Sequence, residues 1–115
     1  MADLKINKAV DVKAVDVDTE GAKNVNIRWL ISESDGARNF AMRLFEVGEG
    51  GRTPFHQHPW EHEVYILKGE GRLEFENDKK DFSKGYFIFV PEGKKHSFIN
   101  TGESKLKFLC VVPNK

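Results

Sequence analysis

Four histidines, His56, His58, His62 and His96, are the residues whose type and spacing can do chemistry in this chain, and the sequence holds no others. Imidazole suits first-row divalent ions from Mn to Zn, whereas Mg and Ca take oxygen ligands. His56 and His58 are two residues apart, which on an extended strand turns both side chains to one face within reach of a common ion. Pro59 and Trp60 interrupt the run, and His62 then opens the strand Glu63-Val64-Tyr65-Ile66-Leu67, so that a third imidazole enters from a neighbouring strand. His96 follows the turn Pro91-Glu92-Gly93 and heads the strand His96-Ser97-Phe98-Ile99-Asn100, which a closed barrel brings opposite the other three. A lone histidine is more often a surface or hydrogen-bonded core residue. All four confined to one short cluster and one turn-strand junction argue instead for a single divalent transition metal ion. Neutral imidazoles leave the charge of such an ion uncompensated, which attracts an anion or acidifies bound water. An octahedral ion would also keep two positions open for water, dioxygen, peroxide or a bidentate oxygen ligand.

Around the histidines stand further candidates. Trp60, behind a proline at the strand corner, walls the mouth of a pocket or simply packs. Glu61 and Glu63 flank His62 and either orient an imidazole through its free N–H or are solvated; on a regular strand Glu63 points away from His62. Cys110 shares a face with Phe108 and Leu106, which places its thiol in the interior, inert or exposed to oxidation by a nearby metal. Arg43 reaches into the barrel to hold an anionic substrate or lies on a solvated face, and Arg52 has the same two readings. No Ser-His-Asp set, Cys-His pair or phosphate loop competes, because the glycines sit in hairpin turns.

The elements that must position these residues read as strands. Turn signals recur at Asp35-Gly36, Glu49-Gly50-Gly51, Gly69-Glu70-Gly71, Asn77-Asp78, Glu92-Gly93 and Thr101-Gly102. Between them Val25, Ile27, Trp29 and Ile31 alternate with Asn26, Arg28 and Leu30, and Leu106, Phe108, Cys110 and Val112 alternate with Lys107, Leu109 and Val111. Phe87-Ile88-Phe89-Val90 is apolar on both sides and is expected to be covered on both. Ala9 to Val17 alternates too and reads as an edge strand, one that a partner chain could take up. No stretch has helical periodicity. Seven to nine strands at this spacing predict an all-β antiparallel sandwich or small barrel.

At 115 residues the chain has room for one domain, residues 1–115, with a core at about 40–112 and an N-terminal edge segment at 1–24. Lys plus Arg equals Asp plus Glu at 18 each, so no long-range field draws nucleic acid or an anionic membrane. The apolar run near Phe108–Pro113 is too short to span a bilayer and the first residues form no apolar signal, so the expected location is cytoplasmic.

The motifs resemble those of the cupin superfamily. Gly50 precedes His56-Gln57-His58 by five residues, three more lead to His62, and six to Gly69; the second motif runs Gly85, Pro91-Glu92-Gly93, His96, Asn100 at the family's spacing. His62 stands where the family usually has a glutamate, which removes a negative charge and a proton acceptor. The resemblance implies a jelly-roll barrel, a double-stranded β-helix, with the metal inside and usually a homodimer. His56, His58 and His96 carry over as ligands, and His62 does so by position. The run from His58 to Glu63 together with Phe108-Leu109-Cys110 is similar to small single-domain bacterial cupins with four-histidine sites. That likeness implies manganese, with Fe, Ni, Cu and Zn as alternatives, and oxidative chemistry on carbon–carbon double bonds. The expected function is a metal-dependent oxidoreductase, dioxygenase-like or peroxide-using, acting on a small organic substrate. The alternatives are a metal-dependent isomerase or lyase of a sugar or keto acid, drawing protons from Tyr65, Tyr86 or a glutamate, and a non-catalytic domain binding a metal or small anion.

Overall fold

The computed structural model describes residues 2–114 and is built almost wholly of antiparallel strands. The chain runs β1 (Val15–Asp16), β2 (Lys23–Ile31), β3 (Phe40–Arg52), β4 (His62–Lys68), β5 (Glu70–Phe75), β6 (Asp78–Ser83), β7 (Phe87–Val90), β8 (His96–Asn100) and β9 (Leu106–Pro113). The strands form one curled sheet in the order β6-β5-β8-β3-β9-β4-β7, with β2 and β1 added beside β3. This is the jelly-roll barrel that the family resemblance implies, and it agrees with the antiparallel sandwich or small barrel read from the period-two patterns and tight turns. No helix among the described residues is long and apolar enough to cross a membrane.

The long strand β3 joins the two halves. Residues Phe40 to Val47 pair with β9, while Arg52 at its far end pairs with Ile99 of β8. The handover takes place across Gly48-Glu49-Gly50-Gly51. Gly50 has φ +74°, where a side chain is strained, and a Cβ on Gly51 would lie 2.6 Å from the Lys23 carbonyl oxygen. The alternation of β9 turns Leu106, Phe108, Cys110 and Val112 inward, and β4 turns His62, Val64 and Ile66 inward. Phe108 stacks on Phe98 at 4.6 Å and on Phe45 at 5.2 Å between ring centroids, which ties both halves to one core. Each such buried side chain stabilises the fold by about 1.5–3 kcal/mol.

Three expectations are corrected. Ala9–Asp11 is a 3-10 turn and only Val15–Asp16 forms a strand, because Arg28 reaches out to the carbonyls of Val10 and Val12 and holds this segment along the sheet rather than in it. Phe87 and Phe89 are not covered on both sides: they are 82% and 56% exposed, since none of the described residues covers the outer face of β7. His56 and His58 lie not on a regular strand but on an extended connection, which touches the sheet through a single bridge to His96.

Candidate metal centre

That bridge stitches the two histidine segments together. His56 N–H donates to the His96 carbonyl at 3.1 Å, and His96 N–H donates to the His56 carbonyl at 3.0 Å. Gly93 N–H donates to the His58 carbonyl at 2.7 Å, so the Pro91-Glu92-Gly93 turn is anchored on the same connection. His62 enters from the start of β4 and His96 from the start of β8. The rings converge: centroids lie 4.4 Å apart for His56 and His58, 5.2 Å for His58 and His62, 5.1 Å for His62 and His96, and 5.6 Å for His56 and His96. Among the described residues no three His, Cys, Asp or Glu side chains already stand as a metal cage. Gathering the nitrogens on one ion therefore requires the rings to turn about their side-chain torsions.

The donor chemistry nevertheless fits a divalent transition ion. His96 Nδ1–H donates to the Lys94 carbonyl at 2.8 Å, which leaves Nε2 as the free lone pair. His62 Nδ1 lies 3.3 Å from Cys110 Sγ, and its Nε2 is buried with no partner at all. A buried nitrogen without a hydrogen bond is costly unless something else satisfies it. All four imidazoles are pushed toward the neutral, ligating form. Burial is the main cause, taking His56 down to about 4 and His62 down to about 3, with His58 and His96 lowered as well. Neighbouring histidines add to the shift at His56, His58 and His62, as does the Arg43 guanidinium.

The cluster opens on a cavity of about 420 Å³ walled by Val25, Ile27, Trp29, Phe45, Phe98 and Phe108. Arg43 and Cys110 line it as well, and 3.0 Å separates Arg43 Nη2 from Cys110 Sγ. Burial pushes the Cys110 thiol up, partly offset by Arg43. Asp16 and Asp18 lie at the rim, both exposed.

The sequence candidates separate sharply. Arg43 and Cys110 belong to the cavity. Trp60 is half-buried and stacks on His58 at 4.5 Å, so it buttresses one imidazole. Glu61 and Glu63 do not orient His62: both are exposed and line an outer groove with Phe40 and Glu92, and the partner of His62 Nδ1 is Cys110. Tyr65 and Tyr86 are half-exposed and line no part of the cavity. Arg52 sits outside it, 3.1 Å from Glu74. Trp29, Phe45 and the rim aspartates were missed as site residues. The alternation of Val25, Ile27 and Trp29 was the available signal, but it does not say which face of β2 turns inward.

The cupin domain family matches residues 43–112, which takes in all four histidines. The chain belongs to the cupin family. This cupin is similar to the oxalate-binding protein of Thermotoga maritima, 35% identical over 96 residues that cover 80% of the chain and 78% of that protein. An uncharacterized protein of Methanocaldococcus jannaschii is 37% identical over 65 residues, covering 56% of the chain and about half of the relative's own length, 52%. Among solved structures, the polyketide cyclase RemF from Streptomyces resistomycificus superposes with a TM-score of 0.91 at 38% identity, over 97% of this cupin and 80% of RemF.

Proposed function

We propose that this cupin is a metal-dependent enzyme that holds one divalent transition ion on His56, His58, His62 and His96 and acts on a carbonyl-bearing organic substrate in the barrel. Ring closure of a polyketide-like chain, in keeping with the name polyketide cyclase that RemF bears, is the reading best supported. The observation that carries it is the convergence of four imidazoles on one apolar-walled cavity. The likeness to RemF over nearly the whole chain supports it, and an oxalate-binding relative supports an oxygen-rich ligand. When bound, the ion supplies Lewis acidity, which polarises a carbonyl and makes the neighbouring C–H more acidic.

The chain's own residues do the rest. The Lys94 carbonyl takes the His96 Nδ1–H, which leaves Nε2 of that ring free, while Cys110 Sγ lies 3.3 Å from His62 Nδ1 and the Nε2 of His62 is buried without a partner. Trp29, Phe45, Phe98 and Phe108 exclude water from the substrate, which sharpens every electrostatic contact there. Among the described residues no tyrosine lines the cavity, and its two carboxylates, Asp16 and Asp18, are exposed at the rim rather than buried beside the histidines. That argues against isomerase or lyase action on a sugar, where a base must remove a weakly acidic proton. A β-dicarbonyl chain carries acidic C–H groups of its own and needs less help. Oxidative chemistry on a small alkene or diketone, which needs no protein base, is the second reading. Manganese is the ion that the sequence resemblance favours, ahead of Fe, Ni, Cu and Zn.

The test is elemental analysis of protein purified without tag or chelator, beside His62→Ala, followed by turnover of a synthetic triketone monitored for ring closure and for oxygen uptake. About one equivalent of metal, reduced in the variant, with ring closure and no oxygen uptake, supports the cyclase reading. Oxygen uptake moves the assignment to oxidation. A protein that neither contains nor takes up metal overturns both.

A further inference from the structure

Arg43 is a cation inside the barrel with no carboxylate within ion-pair distance among the described residues. Its guanidinium lies 5.4 Å from the Trp29 ring centre and 5.1 Å from that of Phe45. Aromatic contact with the flat face leaves the in-plane N–H fork for hydrogen bonds. That fork is poorly used: Nη2 donates to the neutral Cys110 Sγ at 3.0 Å, and the buried Nε donates to nothing. Arg28, Arg52 and Arg72 each have a carboxylate oxygen nearby, at 3.5, 3.1 and 2.8 Å, whereas no carboxylate among the described residues lies within ion-pair distance of Arg43. A guanidinium cannot shed its charge to relieve the cost of burial.

The same charge reaches the histidines, where it helps to hold His56, His58 and His62 neutral. Arg43 and an ion on the cluster would place two positive centres across one apolar space, and among the described residues no buried carboxylate lines it. Asp16 and Asp18 line the cavity only as exposed residues and pair with nothing in it. Their charges at the entrance oppose a polyanion and tolerate a molecule bearing a single charge on an apolar body. The wall of Trp29, Phe45, Phe98 and Phe108 suits a flat one.

We propose that Arg43 forms the anion-recognition half of the substrate site, so that this cupin takes flat organic monoanions whose carboxylate or enolate oxygen lies between Arg43 and the histidine cluster. The share of the cluster rests on the metal-dependent reading given above; the share of Arg43 stands without a metal.

The test is calorimetric titration with 2-naphthoate and its neutral isostere 2-naphthamide, on protein as purified and after chelation, with metal content measured on both samples. Naphthoate is expected to bind at least ten-fold more tightly than the amide in both, about 1.4 kcal/mol. Arg43→Met is expected to abolish the preference and Arg43→Lys to keep part of it. The comparison of the two ligands on the unaltered protein needs no variant to fold. Equal affinities, no naphthoate binding up to millimolar concentration, or a preference that survives in Arg43→Met overturns the proposal. A preference present with metal and lost on chelation also overturns it, because the ion alone would then read the anion. Protein without metal that still prefers naphthoate through Arg43 upholds the proposal while removing the metal-dependent reading.

Discussion

Asn100 closes the second cupin motif, and its replacement by alanine tests whether that position is kept for structure rather than chemistry. The side chain is buried and makes three hydrogen bonds: Nδ2 donates to the carbonyls of Val47 and Ser104, each at 2.9 Å, and Oδ1 accepts from Gly102 N–H at 2.9 Å. It therefore ties the bend of β3 to the turn between β8 and β9. Alanine leaves two carbonyls and one amide without those partners, and at about 1 kcal/mol for each net bond the loss comes to about 3 kcal/mol. At about 4 °C per kcal/mol for a domain of this size, the melting temperature should fall by about 12 °C. Urea unfolding is the assay, with the slope m unchanged so that the shift in midpoint reports stability alone. Asn100→Asp should be no better, because a carboxylate would face the two carbonyl oxygens. A loss under about 1 kcal/mol would show that water replaces these bonds, and the reasoning would fail.

Other outcomes follow from the same geometry. Cys110→Ala removes the side-chain partner of His62 Nδ1, and metal affinity should drop about 10- to 100-fold in a chelator competition; unchanged affinity would show that Cys110 does not orient the ring. The metal-free protein should weaken in acid. The folded pKa values of His56 and His62 are depressed to about 4 and about 3, below the usual value of 6.5, so only the unfolded chain takes up protons as pH falls through that window. Stability should be flat above about pH 7 and fall from about 6.5 towards 4, as urea midpoints across that range would record. The expected homodimer should pair through the outer face where Tyr65 lies opposite Phe87 and where Phe89 is exposed. Sedimentation of the unaltered chain as a dimer and of Phe87→Glu as a monomer would agree; a monomeric unaltered chain at micromolar concentration would refute it.

How much was legible in the sequence follows from what is local. Alternation along β2, β4 and β9 is a property of neighbouring residues, and a pleated strand turns it directly into an inner and an outer face; the histidine spacing and the glycine turns are local in the same sense. The outward position of Glu63 could be read in this way because it shares β4 with His62. By contrast, Cys110 comes within 3.3 Å of His62 only because β9 pairs with β4, placing Val64 opposite Cys110. Arg43 meets Cys110 because β3 lies on the other side of β9, with those two residues in register. Register between distant strands is set by how the whole barrel closes, and no short segment encodes it. The same holds for Phe87-Ile88-Phe89-Val90, whose composition declares it apolar while only the completed fold shows that Phe87 and Phe89 stay exposed among the described residues. The residue types suited to the site, and their order along the chain, were thus determined by the sequence. Which of them meet, and that Arg43 meets Cys110 and two aromatic rings rather than a carboxylate among the described residues, was decided only when strands far apart in the chain came to lie side by side.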